Sequence, residues 1–480
     1  MSIQRNSVIG SLFWKAGERF LIQGFGLFVQ VILARLLLPE DFACLAIIVS
    51  IVNYLGIFVN CGLSVVVMQK KDLDDLDIKT LTTVSLLIAL LIYIVLYFLA
   101  PIISDFYNIE DLTWPIRIMS LSLFLSTFNS IQNGLLSRNM MFKTLFKCTT
   151  LAMPLSASIG IAMAYLGYGV WSLIIYHLLN TALVVLFMNT IPTIRLSLGF
   201  SWERAKMLYI FSGKILLTNL ISAGGDTIRT MTIGKVYKPA TLAFYDRAYT
   251  YSNLVTQVVN TSISNVILPV LSKSQDNSNH LAMMARRSVS MAAFVMIPIL
   301  FLVAAVSKPL ILLILSEKWL PCAPYLSLFC ILRIPGIITS VDKQAYYALG
   351  KSGIALFYEV AILVVNLIML SITINYNVFA IAIGYTIIEY LGNITLIVIS
   401  AKVYNYSIRE RIIDLYKPLM NSLIMLLTVY CLTFVFDSNL LLLVSQLLIG
   451  LVAYYVLAYV TKDENLTFIH QKLKTIRTRG

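Results

Sequence analysis

Runs of about twenty apolar residues follow one another along almost the whole 480-residue chain, separated by short segments that carry most of the charge. Coiled as a helix, a run of that length matches the hydrocarbon thickness of a bilayer. With 59% hydrophobic and 12% charged residues and a mean hydropathy of +0.86, the composition excludes the soluble globular classes. The chain reads as an all-α polytopic membrane protein with about fourteen transmembrane helices between residues 11 and 461.

Polar residues within these runs are patterned. Lys15, Arg19, Gln23, Gly26 and Gln30 recur at helical spacing, so one face carries the polar groups and the rest of the surface is apolar. Lys214, Thr218, Ser222, Gly225 and Arg229 repeat that stripe at an offset of 199. In the next helix of each half, Ser50, Asn53, Asn60 and Ser64 match Thr250, Asn253, Asn260 and Ser264 at an offset of 200, as Pro39 matches Pro239. Farther on, Tyr168-Gly169-Val170-Trp171 is similar to Tyr376-Asn377-Val378-Phe379. The repeat predicts two six-helix lobes, 1–197 and 205–405, parallel because each has an even number of helices, with a cleft between them. Two further helices over 415–461 show no repeat partner in sequence, and 462–480 forms a basic tail.

The formal net charge of +13 raises the question of nucleic acid, but Lys and Arg lie in alternate loops and not on one module. Lys70, Lys71 and Lys79, then Arg138, Lys143 and Lys147, then Arg286 and Arg287, then Arg409, Arg411 and Lys417 all fall on one side. The positive-inside rule makes that side cytoplasmic, with both termini there. The run Lys70 to Asp75 reads as a solvated loop whose charges have no role. The six cysteines show neither disulfide nor metal spacing, and no catalytic motif or long loop points to an enzyme. The sequence therefore implies neither a metal nor an organic cofactor.

Within the runs, Arg333 stands out because it lies near the middle of its helix, where an unpaired charge costs at least about 3 kcal/mol. Its planar fork suits phosphate oxygens; an internal pair with Glu389 or Asp342 is the competing reading. Arg19, Lys214, Arg229 and Arg247 lie nearer helix ends, yet three of them sit on the repeated stripes and together imply a basic cavity. Gln23, Gln30, Asn53, Asn60, Asn253 and Asn260 would line it with hydrogen-bonding groups. Asp226 and Glu389 are candidates for coupling to Na+ or H+, Glu389 because it is mid-helix without a basic neighbour in its own segment. Asp226 with Arg229, and Asp246 with Arg247, are spaced for local ion pairs. Gly224-Gly225 and Pro335-Gly336 read as helix interruptions serving as hinges or, equally, as positions that let neighbouring helices pack closely.

Phe13-Trp14-Lys15-Ala16-Gly17-Glu18-Arg19-Phe20 and Ala34-Arg35-Leu36-Leu37-Leu38-Pro39-Glu40-Asp41-Phe42 resemble the opening of the polysaccharide transporters. These are the O-antigen, colanic-acid and capsule flippases of the multidrug/oligosaccharidyl-lipid/polysaccharide exporter superfamily. Asp226 to Arg229, Ile233-Gly234-Lys235, Ala243 to Ala248 and Gln132 to Phe142 are similar to further signatures of that family, most of all to its colanic-acid exporter branch. The resemblance implies a flippase of the bacterial inner membrane for undecaprenyl-diphosphate-linked sugar repeat units, working by alternating access. It implies a lipid-linked oligosaccharide substrate, membrane lipids around it, and a polysaccharide polymerase or chain-length regulator as partner. A small-molecule/cation antiporter on the same fold is the alternative.

Overall fold

The computed structural model describes residues 21–60, 73–109, 112–191, 196–272 and 278–477, together with 17, 67 and 194. No strand occurs among the described residues. In chain order the helices are α1 (Leu21–Leu36), α2 (Pro39–Asn60), α3 (Asp75–Tyr107), α4 (Thr113–Met119), α5 (Ser122–Arg138), α6 (Phe142–Tyr165), α7 (Val170–Asn189), α8 (Trp202–Val236) and α9 (Pro239–Ser272). They continue with α10 (Ser278–Ala305), α11 (Ser307–Ile314), α12 (Cys322–Ala348), α13 (Ser352–Thr373), α14 (Val378–Tyr404), α15 (Ile408–Cys431), α16 (Asn439–Val460) and α17 (Glu464–Arg477). Among the described residues ten helices are long and apolar enough to cross a membrane. The other expected spans are α1, described only from Leu21, the pair α4 and α5, and the polar-striped α8 and α9. The chain forms two compact units, residues 1–243 and 244–480.

Proline inside a membrane helix frees the carbonyl four residues earlier, and in lipid that carbonyl needs another donor. Three prolines are answered in the same way. Pro101 in α3 frees the Tyr97 carbonyl, which accepts from Arg117 Nε at 3.1 Å. Pro298 in α10 frees that of Phe294, which accepts from Tyr454 Oη at 2.8 Å. Pro335 in α12 frees that of Ile331, which accepts from Tyr390 Oη at 3.0 Å. Each donor comes from another helix, so the defect becomes a fastening between elements. The expected interruptions at Gly224-Gly225 and Pro335-Gly336 are absent: α8 and α12 run through both. At Gly224 a Cβ would make only an ordinary contact, 3.7 Å from Tyr54 Oη of α2. Close approach needs glycine farther along α8, at Gly234, where a Cβ would meet Ile47 of α2 at 3.1 Å.

The basic-loop ends of the helices are fastened by charge. Asp74 caps α3 in a capping box with Asp77. Arg204, in the first turn of α8, bonds both carboxylates, Asp77 at 3.0 Å. Asp74, read from the sequence as part of a solvated loop without a role, therefore has one as helix cap and partner of Arg204, while Lys70, Lys71 and Asp72 lie outside the described residues. In the second unit Ser407 and Glu410 form the capping box of α15, and Arg286 of α10 reaches Glu410 at 3.2 Å and Asp414 at 2.8 Å. Both α8 and α15 start after a serine, Ser201 and Ser407, at an offset of 206. The two fastenings are alike with the charges exchanged: the arginine sits on α8 in one unit and on α10 in the other.

Removing the Tyr390 hydroxyl leaves the Ile331 carbonyl without its donor. Tyr390→Phe is expected to lower stability by about 1–3 kcal/mol, read as a fall in Tm of the detergent-solubilised protein, while Tyr430→Phe, at a ring 56% exposed, leaves Tm unchanged.

Candidate functional site

In the first unit, Gln23 and Gln30 are half-buried on α1, and both are held by polar or electrostatic contacts. Asn53 on α2 is exposed, whereas Asn60 is half-buried with Oδ1 lacking a hydrogen-bond partner. At the centre of α8, Asn219 and Ser222 are exposed and Thr218 is half-buried. An exposed amide at that depth faces water or a ligand, because lipid offers it no partner. Asn219 is not part of the stripe from Lys214 to Arg229, although its spacing of three to Ser222 and seven to Asp226 places it on the same face. On α5 the Asn133 amide donates to Asn129 Oδ1 at 2.8 Å, and Gln132 is fully buried with both side-chain polar atoms unbonded.

Arg229 is only 5% exposed and its Nη2 contacts Asp226 Oδ1 at 2.5 Å, so the expected local pair forms. Lys15 and Arg19 lie outside the described residues, as do the side chains of Lys214 and Asn260.

In the second unit, Arg333 sits midway along α12 with its Cζ 4.4 Å from the centroid of the Tyr249 ring. That ring belongs to a run of aromatic groups: Tyr249 meets Phe329 at 5.5 Å, Phe329 meets Tyr245 at 5.0 Å, Tyr245 meets Tyr325 at 6.1 Å and Tyr325 meets Phe379 at 5.6 Å. Arg247 is buried and bonded to Asp246 at 2.7 Å. Asn253 is half-buried, and Gln257 one turn on is exposed.

Asp342 belongs to Arg411. The two are fully buried and doubly bonded, Nη1 to Oδ2 at 2.9 Å and Nη2 to Oδ1 at 2.6 Å, and Tyr404 Oη also donates to Oδ1. Behind them Tyr346 Oη and Ser400 Oγ share a hydrogen bond of 2.8 Å. Asp342 thus drops out as the internal counter-ion of Arg333. Glu389 is half-buried on α14 and also has a polar or electrostatic contact. One turn on, Asn393 donates to Pro335 O at 3.2 Å and to Thr339 Oγ1 at 3.0 Å.

A second group of charges lies between α12 and α13. Lys343 bonds Glu359 and stands 5.2 Å from the Tyr358 ring centroid, and both Glu359 and Glu389 act electrostatically on the Tyr358 hydroxyl. Sequence reading misses it because the partners are sixteen residues apart on separate helices. No group of three metal-ligating side chains occurs among the described residues.

A family profile described as polysaccharide biosynthesis protein matches residues 32–324. The chain belongs to that family. Over 447 residues, 92% of this chain and 90% of the relative, this family member is 21% identical to the lipopolysaccharide biosynthesis protein WzxC of Escherichia coli K12. It is 24% identical to the succinoglycan biosynthesis transport protein ExoT of Rhizobium meliloti over 70% of the chain and 68% of the relative. In fold it is similar to the lipid II flippase MurJ, with a TM-score of 0.77 at 18% identity, covering 94% of this chain and 98% of that one. A multidrug resistance transporter of the MATE family, in the MOP superfamily, gives a TM-score of 0.62 at 15% identity over 84% and 99%.

Breaking a buried ion pair strands a charge in a dry interior. Arg411→Met alone is expected to cost about 3–5 kcal/mol, and Asp342→Asn combined with it to recover part of that loss; thermal unfolding of the two variants decides this.

Proposed function

We propose that the protein translocates undecaprenyl-diphosphate-linked oligosaccharide repeat units across a bacterial inner membrane, for O-antigen, capsule or exopolysaccharide synthesis, by alternating access. The family description and the relatives named for lipopolysaccharide and succinoglycan synthesis support a role in exporting polysaccharide precursors. The observation that carries the reading is the Arg333 guanidinium set at mid-membrane over an aromatic ring. The oxygens of a diphosphate match the planar guanidinium fork, which favours an anionic ligand at that position.

The uncharged groups serve the other part of the substrate. Asn53, Asn219 and Ser222 offer donors and acceptors at membrane depth, which suits sugar hydroxyls. Gln23, Gln30, Asn60, Asn253 and Asn260 extend that role, with Arg19 and Lys214 as further basic groups. Arg229 and Arg247 already carry carboxylate partners, so they contribute hydrogen bonds more than net charge. Glu389 and Asp226 couple the cycle to H+ or Na+. The protein performs no covalent chemistry, both termini lie in the cytoplasm, and a polymerase or chain-length regulator receives its product.

The MATE-like fold supports a second reading, an antiporter of small molecules. A basic site disfavours the cationic amphiphiles such a transporter would carry.

Translocation of a fluorescent undecaprenyl-diphosphate oligosaccharide in proteoliposomes tests the proposal. Wild type moves the lipid under an imposed H+ or Na+ gradient, and Arg333→Ala falls to the protein-free rate while keeping its Tm. Equal rates for both proteins remove Arg333 from the site, and no movement of any lipid-linked sugar favours the antiporter.

A further inference from the structure

At the basic-loop end of the second unit, a cavity of about 370 Å³ opens between α10, α15 and α17. Its floor is fixed. Asn465 at the start of α17 donates to Ser290 Oγ of α10 at 2.9 Å, and its backbone N–H is held by Asp463 Oδ1 at 2.8 Å. Leu466 is buried against Phe294 and Ala458, which pins α17 to the bundle. Arg286 faces the cavity but is already neutralised by Asp414 and Glu410.

Two opposite charges on the walls are not neutralised. Arg287 is exposed, with its Cζ 4.1 Å from the centroid of the Phe468 ring, and makes no hydrogen bond or ion pair among the described residues. Glu464, also exposed and also lining the cavity, likewise has no cationic partner there. A ring contact holds the guanidinium face and leaves its five edge donors available. Oppositely charged side chains that line one cavity without meeting offer complementary contacts to an occupant carrying both charges.

Depth narrows the choice. Arg287 lies nine residues into α10, and Glu464 begins a helix four residues after α16 leaves the membrane span. Both positions are close to the basic-loop ends of membrane helices, the zone of phospholipid headgroups. Phe468 and the neighbouring Met291 add an apolar wall on which a glycerol backbone can rest.

We propose that this cavity binds a headgroup containing a phosphodiester and a primary ammonium, that of phosphatidylethanolamine, with the phosphate on Arg287 and the ammonium on Glu464. The site is separate from Arg333 and does not depend on the transported substrate. A headgroup without a cation satisfies Arg287 but repels Glu464, and a quaternary ammonium gives Glu464 no hydrogen-bond donor.

Native mass spectrometry of the full-length protein with equimolar phosphatidylethanolamine, phosphatidylglycerol and phosphatidylcholine tests the assignment. Wild type retains the ethanolamine lipid about tenfold over the other two. Glu464→Gln loses that selectivity against phosphatidylglycerol, Arg287→Ala loses retention of both, and Arg287→Lys restores most of it. Displacement by soluble glycerophosphoethanolamine would assign the affinity to the headgroup alone; no displacement would assign part of it to the lipid's apolar portion. Equal retention of the three lipids by wild type, or unchanged selectivity in Glu464→Gln, overturns the proposal. Should Arg287→Ala fail to fold, Glu464→Gln decides alone.

Discussion

Three backbone carbonyls released by proline inside membrane helices are satisfied by donors from other helices, and these fastenings organise part of the molecule. Pro101, Pro298 and Pro335 each release one carbonyl, and Arg117, Tyr454 and Tyr390 each answer from another helix. A proline thus fixes where a neighbouring helix must lie and which residue it must present. The same need brings α14 against α12: Tyr390 serves the Ile331 carbonyl, and Asn393 serves that of Pro335. Glu389 directly precedes Tyr390 and lies one turn from Asn393, so its position follows from these two contacts.

Charge acts at the helix ends as backbone repair does in the middle. Arg204 with Asp77, and Arg286 with Asp414, join the start of one long helix to that of another in each unit. Exchange of the charges between the two units means that the geometry repeats while the residues do not. A search for similar letters misses this relation. A serine stands at the N-cap position of both α8 and α15, 206 residues apart, although only Ser407 uses its side chain as a cap. The buried Arg411–Asp342 pair adds a second bond from α15 to the rest of its unit.

The all-α membrane class was legible in the apolar runs, because length and hydropathy are local properties. Local pairs were legible for the same reason: Asp226 with Arg229 and Asp246 with Arg247 are close in sequence and bond as spaced. Asp342 with Arg411, 69 residues apart, and Lys343 with Glu359 were not, because helix packing alone brings them together. Of the two readings open for Gly224-Gly225, hinge or packing position, the continuous α8 excludes a break, and on the same helix Gly234 is the glycine that close approach requires. Asn219 could have been found from its place on the face that holds Ser222 and Asp226.

The functional account depends on a polar surface at membrane depth that meets substrate and not lipid. Photo-crosslinking in cells making lipid-linked sugar measures this directly, with p-benzoylphenylalanine placed singly at Asn53, Asn219 and the outward-facing Leu91, which is 64% exposed. The account predicts adducts with the lipid-linked oligosaccharide at Asn53 and Asn219 and only bulk phospholipid at Leu91. Oligosaccharide adducts absent from both asparagine positions, or equally abundant at Leu91, would contradict it.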